Sequence, residues 1–268
     1  MDNRPIGIFD SGIGGLTVLK ELMEQFPNEK LIYFGDTARI PYGTKSKEAV
    51  IKYSFQCIRF LLSKNVKTII IACNTASAVA LEPALKEFDL PILGVVKSGS
   101  KAAVKETQND KIGVIGTTGT INSYAYQREI RTISPSAEVI GQACPLFVQI
   151  VEDGWEDTEV AKLTAEKYLI DMKEHDVDTL VLGCTHYPIL RYTLKKVLGE
   201  EVKLINPAYE TAKESLELLT ERKLLTESSD IHEVEFYVSD DAEKFRRIGG
   251  NMLNRNIKSV KKIEIEGL

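Results

Sequence analysis

Two cysteines of this 268-residue chain stand at the ends of similar apolar runs. Cys73 ends the run 66–73, and Cys184 ends the run 177–184. Short apolar runs of this kind are typical of buried strands in a parallel sheet, where a helix follows the strand. The positive end of such a helix favours a thiolate over a thiol. The pattern therefore predicts a reactive thiol at each position, with a lowered pKa where the helix begins.

The alternative for any single cysteine is a small buried residue of the core. Two cysteines at equivalent places favour a functional pair instead. The other two thiols are interpreted as structural, because Cys57 lies within the helical stretch 54–60 and Cys144 directly precedes Pro145.

The two cysteine segments belong to an internal repeat. Residues 66–75 align without a gap with residues 177–186, at an offset of 111. Two further segment pairs align in the same order, at offsets of 106 and 112: 6–12 with 112–118, and 92–94 with 204–206. Three strand ends in one order predict a duplicated α/β unit, with a site between its two halves.

Strand-like and helix-like segments alternate along the chain. The expected strands are 6–9, 30–34, 68–72, 92–95, 112–115, 179–182 and 203–205, and the expected helices include 16–25, 46–64, 76–88 and 159–173. This alternation predicts βαβ units and mainly parallel sheets. We expect two similar doubly wound α/β lobes related by pseudo-two-fold symmetry. Residues 1–97 plus 207–268 form the first lobe, residues 98–206 form the second, and the active site lies in the cleft between them.

Composition and charge exclude several classes of function. The formal net charge is -5 and charges of both signs are interspersed, so neither nucleic acid nor an anionic membrane is an expected partner. The basic cluster within 258–262 is interpreted as the solvated face of a last strand. No apolar run approaches the ~18–20 residues that span a bilayer. The amino terminus lacks a signal-peptide pattern, and we expect a cytoplasmic protein.

The spacing of cysteines and histidines argues against a disulfide framework and against a metal site. The four cysteines are far apart without a C-x-x-C pair, and the three histidines add no metal-ligand spacing. No metal is therefore expected.

A glycine-rich loop follows the first expected strand, at residues 10–15 (DSGIGG). Its third glycine comes one residue too early for a dinucleotide fingerprint, so a nucleotide site is disfavoured. Backbone N–H groups at the start of a helix suit a carboxylate. Asp10 fits an N-cap as well as a functional role. Residues 41–43 (PYG) form a turn, which by itself would leave an aromatic ring exposed.

Two more residues are candidates for assisting the second cysteine. His186 lies two positions after Cys184 and could orient or polarise its thiol. The alternative is a histidine that only makes structural hydrogen bonds. Glu152 fits a surface carboxylate as well as a functional one.

Five motifs together resemble the glutamate racemases of the aspartate/glutamate racemase superfamily. They are DSGIGG at 10–15, YFGD at 33–36, PYG at 41–43, CNTA at 73–76 and CTHYP at 184–188, in family order over essentially the whole chain. The resemblance implies an isomerase that interconverts L- and D-glutamate without pyridoxal phosphate or any other cofactor. It implies D-glutamate destined for peptidoglycan, and hence a role in cell-wall biogenesis and cell shape.

The same resemblance implies roles for individual residues. Cys73 and Cys184 are the two catalytic acid/bases, one removing the α-proton and the other delivering a proton to the opposite face. The implied substrate contacts are Asp10, Ser11, Tyr42, Gly43, Asn74, Thr75, Thr185 and His186. Asp10 is implied to assist Cys73, and Glu152 and His186 are implied to assist Cys184. Glutamate is the expected partner, and a homodimer is compatible with a sequence that leaves the oligomeric state open.

Three other functions stay open. An aspartate or hydantoin racemase of the same superfamily would share the two cysteines, and substrate profiling would distinguish it. A nucleotide-dependent enzyme would need a complete glycine fingerprint. A two-lobed amino-acid-binding protein without turnover would leave the paired cysteines unexplained.

Overall fold

The strands of this protein form two separate parallel sheets. The structure is a computed structural model that describes residues 2–267. The strands are β1 Ile6–Asp10, β2 Leu31–Gly35, β3 Thr68–Ile71, β4 Ile92–Gly94, β5 Lys111–Gly116, β6 Glu138–Ala143, β7 Thr179–Gly183, β8 Lys203–Ile205, β9 Glu235–Val238 and β10 Lys261–Lys262. The six-stranded sheet has the order β10-β9-β2-β1-β3-β4, and the four-stranded sheet has the order β6-β5-β7-β8.

Helices cover both faces of each sheet. They are α1 Leu16–Gln25, α2 Lys47–Ser63, α3 Asn74–Glu87, α4 Val95–Glu106, α5 Thr118–Asn122, α6 Ala125–Ile133, α7 Leu146–Glu152, α8 Glu159–Tyr168, α9 Ile170–Glu174, α10 Arg191–Leu198, α11 Pro207–Glu221 and α12 Ala242–Leu253. Adjacent side chains of a strand point to opposite faces. Ile8 and Phe9 of β1 accordingly pack into two different apolar clusters, as do Val114 and Ile115 of β5. The predicted doubly wound α/β class is confirmed.

The internal repeat is reproduced in the strand register. The order β2-β1-β3-β4 in one sheet matches β6-β5-β7-β8 in the other. Ile6 pairs with Thr68 in the first sheet, and their repeat equivalents Ile112 and Thr179 pair in the second. Strands β3 and β4 of the first sheet pair in the same register as their repeat equivalents β7 and β8 in the second. The two sheets therefore place equivalent strand ends in equivalent positions.

Some elements differ from the expectation. The helix expected over 159–173 is split into α8 and α9, with Leu169 fully buried between them. Helix α4 runs unbroken through residues 97 and 98, where the first lobe is expected to end, and connects one sheet to the other. Strand β6 was not expected, because its residues are partly or fully exposed and form no apolar run. No helix among residues 2–267 is both long and apolar enough to span a membrane.

A buried ion pair fastens the segment after α11 to the six-stranded sheet. The Lys67 side chain is fully buried, and its Nζ donates to Glu29 Oε2 at 2.6 Å. The same ammonium donates to the carbonyl oxygens of Asp2 at 2.8 Å and Leu224 at 2.7 Å. The second carboxylate oxygen, Oε1 of Glu29, accepts from the backbone N–H of Thr226 at 2.7 Å. The charge is thus fully surrounded by hydrogen-bond partners.

We expect Glu29→Gln to lower the free energy of unfolding by about 3 kcal/mol, because it leaves a buried ammonium without its anion. The matched control is Lys101→Met. Lys101 is 52% exposed and pairs with Glu214 at 2.7 Å, and losing such a surface pair changes stability by less than about 1 kcal/mol. Urea unfolding at pH 7 measures both variants. Equal losses would show that burial of the Lys67 pair has no special role.

Candidate active site

The carboxyl ends of the central strands of both sheets open into one cavity of about 280 Å³. This is where ligands bind in doubly wound folds. The volume is just below the ~300–1,000 Å³ typical of pockets for drug-sized ligands, and suits a small metabolite. The cavity is lined by Ser11, Gly12, Ile13, Ile40, Pro41, Tyr42, Gly43, Thr44, Cys73, Asn74, Thr75, Thr117, Thr118, Pro145, Val148, Gln149, Glu152, Cys184, Thr185 and His186.

The structure brings nearly all of the predicted site residues together. Those that line the cavity are Ser11, Tyr42, Gly43, Cys73, Asn74, Thr75, Glu152, Cys184, Thr185 and His186. Asp10 lies beneath the lining and is only 1% exposed. Its Oδ2 accepts from the backbone N–H of Gly12 at 2.9 Å, and its Oδ1 has no partner among the described residues. Burial raises the pKa of the Asp10 carboxyl.

Cys73 occupies the position immediately before α3, with 6% of its surface exposed. Its Sγ lies 3.6 Å from the Ser11 hydroxyl oxygen. Burial, reinforced by the charge of Asp10, raises the pKa of the Cys73 thiol to about 12, although the Ala76 N–H and the Ser11 hydroxyl oppose the shift. The prediction of a lowered pKa at this helix start was therefore wrong. Desolvation of the thiolate outweighs the stabilisation by the helix end.

Cys184 has a different set of neighbours, although it occupies the equivalent strand end. A 3₁₀-helix, Tyr187–Leu190, follows it in place of an α-helix. Its Sγ lies 3.8 Å from Nδ1 of His186, and Nε2 of the same ring lies 3.1 Å from Oε1 of Glu152 at the end of α7. Glu152 thus faces the cavity. The two thiols are equivalent in the fold but not in their polar partners.

His186 and Glu152 form a partly buried pair. Burial disfavours the imidazolium, but the hydrogen bonds to Cys184 and Glu152 outweigh it and raise the pKa of His186 to about 10. The hydrogen bond from His186 lowers the pKa of Glu152 against the opposing effect of burial. The two shifts agree, since both favour the charged forms of an imidazole placed between a carboxylate and a sulfur atom.

Tyr42 lines the cavity, but its hydroxyl is bonded within the core. The ring is 1% exposed, contrary to the exposed aromatic that a turn alone would suggest. Its hydroxyl donates to the Asp36 carboxylate and lies 3.8 Å from Sγ of Cys57. Asp36 also accepts from Arg39 at 2.7 Å and from Ser239 at 2.8 Å. This network anchors the turn 41–43 in the core, which fixes the position of its backbone against the cavity.

The two halves of the protein touch on either side of the cavity at glycines. A Cβ atom at Gly14 would lie 2.3 Å from Oγ1 of Thr185, and one at Gly43 would lie 2.6 Å from Cβ of Thr117. Neither contact would tolerate a side chain. The hydroxyl of Thr17 donates across the first contact to the carbonyl oxygen of Thr185 at 2.9 Å. Glycine at these two positions allows the halves to close around the cavity.

Two threonines of the second half were missed as site residues. Thr117 and Thr118 follow β5 and line the cavity, and Oγ1 of Thr117 lies 2.8 Å from Oγ1 of Thr75. The repeat contained the signal, since it aligns residues 117–118 with residues 11–12. A position equivalent to Ser11 was therefore a candidate from the sequence.

The polar groups of the cavity are mostly uncharged donors and acceptors. Among the described residues that line it, none is Lys or Arg. No group of three or more His, Cys, Asp or Glu side chains within residues 2–267 is arranged to hold a metal ion. A ligand in the cavity would therefore meet hydroxyls, the amides of Asn74 and Gln149, the His186 ring and the Glu152 carboxylate.

Comparison with known proteins agrees with this geometry. Residues 6–214 match the family described as Asp/Glu/Hydantoin racemase. The glutamate racemase of Geobacter metallireducens is 48% identical over 263 residues, covering 98% of this chain and 97% of that protein. The solved glutamate racemase of Bacillus anthracis has a TM-score of 0.95 at 37% identity and covers 99% of both chains. That of Francisella tularensis, solved in complex with D-glutamate, has a TM-score of 0.94 at 41% identity over 100% of both chains. The chain belongs to the Asp/Glu/hydantoin racemase family, as the resemblance of its motifs predicted.

Proposed function

We propose that the protein is a glutamate racemase in which Cys73 and Cys184 are the two acid/base groups. The main support is that two thiols at repeat-equivalent strand ends line one small cavity from opposite halves of the fold. Relatives over nearly the whole chain are glutamate racemases, and one similar structure contains D-glutamate. A racemase must exchange the α-hydrogen between two faces of one carbon, and two opposed groups do so without turning the substrate over.

The proposed reaction begins with Cys184 as thiolate and Cys73 as thiol. The thiolate takes the α-proton of one enantiomer, and the bonding electrons remain on the substrate as a carbanion delocalised into the α-carboxylate. The Cys73 thiol then delivers its proton to the opposite face, which yields the other enantiomer and leaves Cys73 as thiolate. The raised pKa of Cys73 fits its role as proton donor in this direction. The reverse direction exchanges the two roles.

The carbanion places additional negative charge on the α-carboxylate, and hydrogen-bond donors are needed to stabilise that charge. The first backbone N–H groups of α3 lack partners within the helix and belong to Asn74 and Thr75, which line the cavity. The hydroxyls of Ser11, Thr75 and Thr185 and the amide of Asn74 add further candidate donors. Fixed donors in a site that excludes water stabilise a developing anion without reorganising solvent. We assign substrate contacts to these residues together with Tyr42, Gly43 and His186.

The assisting residues divide between the two thiols. The His186 imidazolium is a partner for a negatively charged sulfur at Cys184, and Glu152 keeps that imidazole protonated. On the other side, the Asp10 carboxyl lies beneath the loop that contacts Cys73 and acts on this thiol through its charge rather than from the cavity lining. We place Asp10 next to the reaction rather than in contact with the substrate carboxylates.

We also propose the two-lobe division, and strand membership supports it. Residues 1–97 plus 207–268 contain all strands of the six-stranded sheet, and residues 98–206 contain those of the four-stranded sheet. The two thiols supply both acid and base, so the proposal requires neither pyridoxal phosphate nor a metal. It requires that the thiols stay reduced, which fits the cytoplasm. There, by resemblance to the family, the D-glutamate would supply peptidoglycan.

Replacing either active-site cysteine should stop racemisation in both directions, because each direction needs a base and an acid. We expect Cys73→Ala and Cys184→Ala each to lower the rate by roughly 10²–10⁴-fold. Circular dichroism of L-glutamate and of D-glutamate follows the reaction. The control is Cys144→Ala, which removes a buried thiol that does not line the cavity and should keep a rate close to wild type. Near-normal racemisation by Cys184→Ala would rule out the paired-thiol mechanism.

Isotope flow in D2O should distinguish two bases from one. Each thiol exchanges with solvent and holds deuterium before turnover. The product should therefore contain solvent deuterium at early times, while unreacted substrate keeps its original proton. Proton NMR of each enantiomer, separated after brief turnover, measures both. Deuterium in unreacted substrate at the level found in product would point to a single base serving both faces.

The His186–Glu152 pair should make stability depend on pH in a defined window. Since the pKa of His186 is raised from 6.5 to about 10, its stabilisation is complete below pH 6.5 and is lost as the pH rises through 10. Since the pKa of Glu152 is lowered from 4.5, its stabilisation is present above pH 4.5. The Tm advantage of wild type over Glu152→Gln should be largest between pH 4.5 and 6.5 and shrink towards pH 10.

The control for this titration is Glu166→Gln, which removes a 45% exposed carboxylate 3.9 Å from Lys162. Its Tm difference from wild type should stay small throughout, because water screens the exposed pair. Calorimetric Tm values at intervals of pH measure both series. A Glu152→Gln difference that is constant from pH 6.5 to 10 would contradict the protonated state of His186.

A further inference from the structure

A tyrosine outside the cavity lining connects the two halves of the fold. Tyr126 lies on α6, which packs on the four-stranded sheet, and is 1% exposed. Its hydroxyl donates to Oδ1 of Asn74 at 2.6 Å. Asn74 is the first residue of α3, which follows the six-stranded sheet, and it lines the cavity next to Cys73. A single buried hydrogen bond therefore joins the second half to the residue after the first thiol.

The ring of the same tyrosine lies against the segment of the second thiol. A Cβ atom at Gly183, the residue before Cys184, would lie 3.1 Å from Cε2 of Tyr126. On its other edge the ring passes Gly99 of α4, where a Cβ atom would lie 3.4 Å from Cε1. An aromatic ring is rigid and has only two side-chain torsions. Tyr126 thus spans from the end of β7 to the start of α3 as a rigid connection.

The hydrogen bond also fixes which way the Asn74 amide faces. An Asn side chain has one acceptor oxygen and one donor NH2 group, on opposite branches of the amide. Because the Tyr126 hydroxyl donates to the oxygen, the NH2 group occupies the other branch. Asn74 is 4% exposed and belongs to the cavity lining. Its NH2 group is then the branch available to a carboxylate in the cavity.

We propose that Tyr126 is a positioning residue of the racemase, which holds the Asn74 amide with its NH2 group towards the substrate and sets α3 and Cys73 against the Cys184 segment. The inference rests on the proposed function, since it assigns Asn74 to the substrate carboxylate. It adds a residue that touches no substrate and comes from the opposite half of the fold. Without the tyrosine hydroxyl, the amide is free to turn its oxygen towards an anion, which repels it.

The decisive variant is Tyr126→Phe, which keeps the ring and removes only the hydroxyl. We expect kcat/KM to fall roughly ten- to hundredfold, the range set by a buried acceptor left without its partner. The fall should be the same for L- and D-glutamate, because the equilibrium constant between enantiomers is one. The matched control is Tyr237→Phe. Tyr237 is also buried and donates to Glu235 at 2.7 Å, but it lies outside the cavity lining, and its kcat/KM should be unchanged.

A double-mutant cycle separates positioning from packing. If Tyr126 acts through the amide, Tyr126→Phe should cause little further loss in an Asn74→Ala background. Losses that multiply would show that the tyrosine acts independently of Asn74 and would overturn the inference. Asn74→Asp gives a second check, because its carboxylate still accepts from Tyr126 but offers no donor. It should lose activity at least as strongly as Asn74→Ala.

The outcomes distinguish this inference from the proposed function. Wild-type racemisation of glutamate with an unaffected Tyr126→Phe variant overturns only the role of the tyrosine. Absence of glutamate racemisation in wild type overturns the proposed function. In that case the same cycle, measured on the dissociation constant of D-glutamate by calorimetry, still tests the positioning of Asn74. Independent effects of the two substitutions on that constant would again contradict it.

Discussion

Close approach of the two halves is the constraint on which the site depends. The sheets present the same strand ends to a common space, and that space becomes a cavity only because backbone meets side chain at Gly14 and Gly43. Any larger residue at either place would hold Thr185 or Thr117 away. Closure has an electrostatic consequence, since Cys73, Cys184 and Asp10 are left almost without contact with water. The chemistry of the cavity is therefore set by how the halves meet as much as by which residues line it.

The two thiols occupy equivalent strand ends but have different polar neighbours. At Cys73 the loss of water outweighs a helix end and a serine hydroxyl, and the nearby carboxyl of Asp10 adds to the shift. At Cys184 the neighbouring imidazole has a raised pKa, because its hydrogen bonds to Cys184 and Glu152 outweigh the cost of burying its charge. A duplicated fold supplies symmetric positions, and the loops that follow the strands break that symmetry. The proposed mechanism is compatible with two thiols that have different partners, since in each turnover one thiol takes a proton from the substrate and the other gives one to it.

Supporting residues hold the lining in place from behind. The Asp36 carboxylate accepts hydrogen bonds from Tyr42, Arg39 and Ser239. Because Ser239 directly follows β9, these bonds connect the turn 41–43 to the end of that strand. Tyr126 does the same for the start of α3 from the other half. These buried hydrogen bonds are strong in a low-dielectric interior and costly to leave unmade. They let the lining residues present backbone N–H groups and amides in fixed directions.

The sequence by itself determined the α/β class, the repeat and the family. Strand periodicity and the aligned cysteine segments depend on local patterns. The correspondence of Ile6 with Ile112 and of Thr68 with Thr179 could therefore be recognised without coordinates. Strand ends of parallel sheets converge, which placed the two cysteines at one site, and the family resemblance added other residues that line the cavity. Only the tertiary structure decided the ionisation of Cys73, the burial of Tyr42 and the partnership of Tyr126 with Asn74. These depend on the distance between groups remote in the chain and on the exclusion of water between them, and neither quantity is encoded in a local pattern.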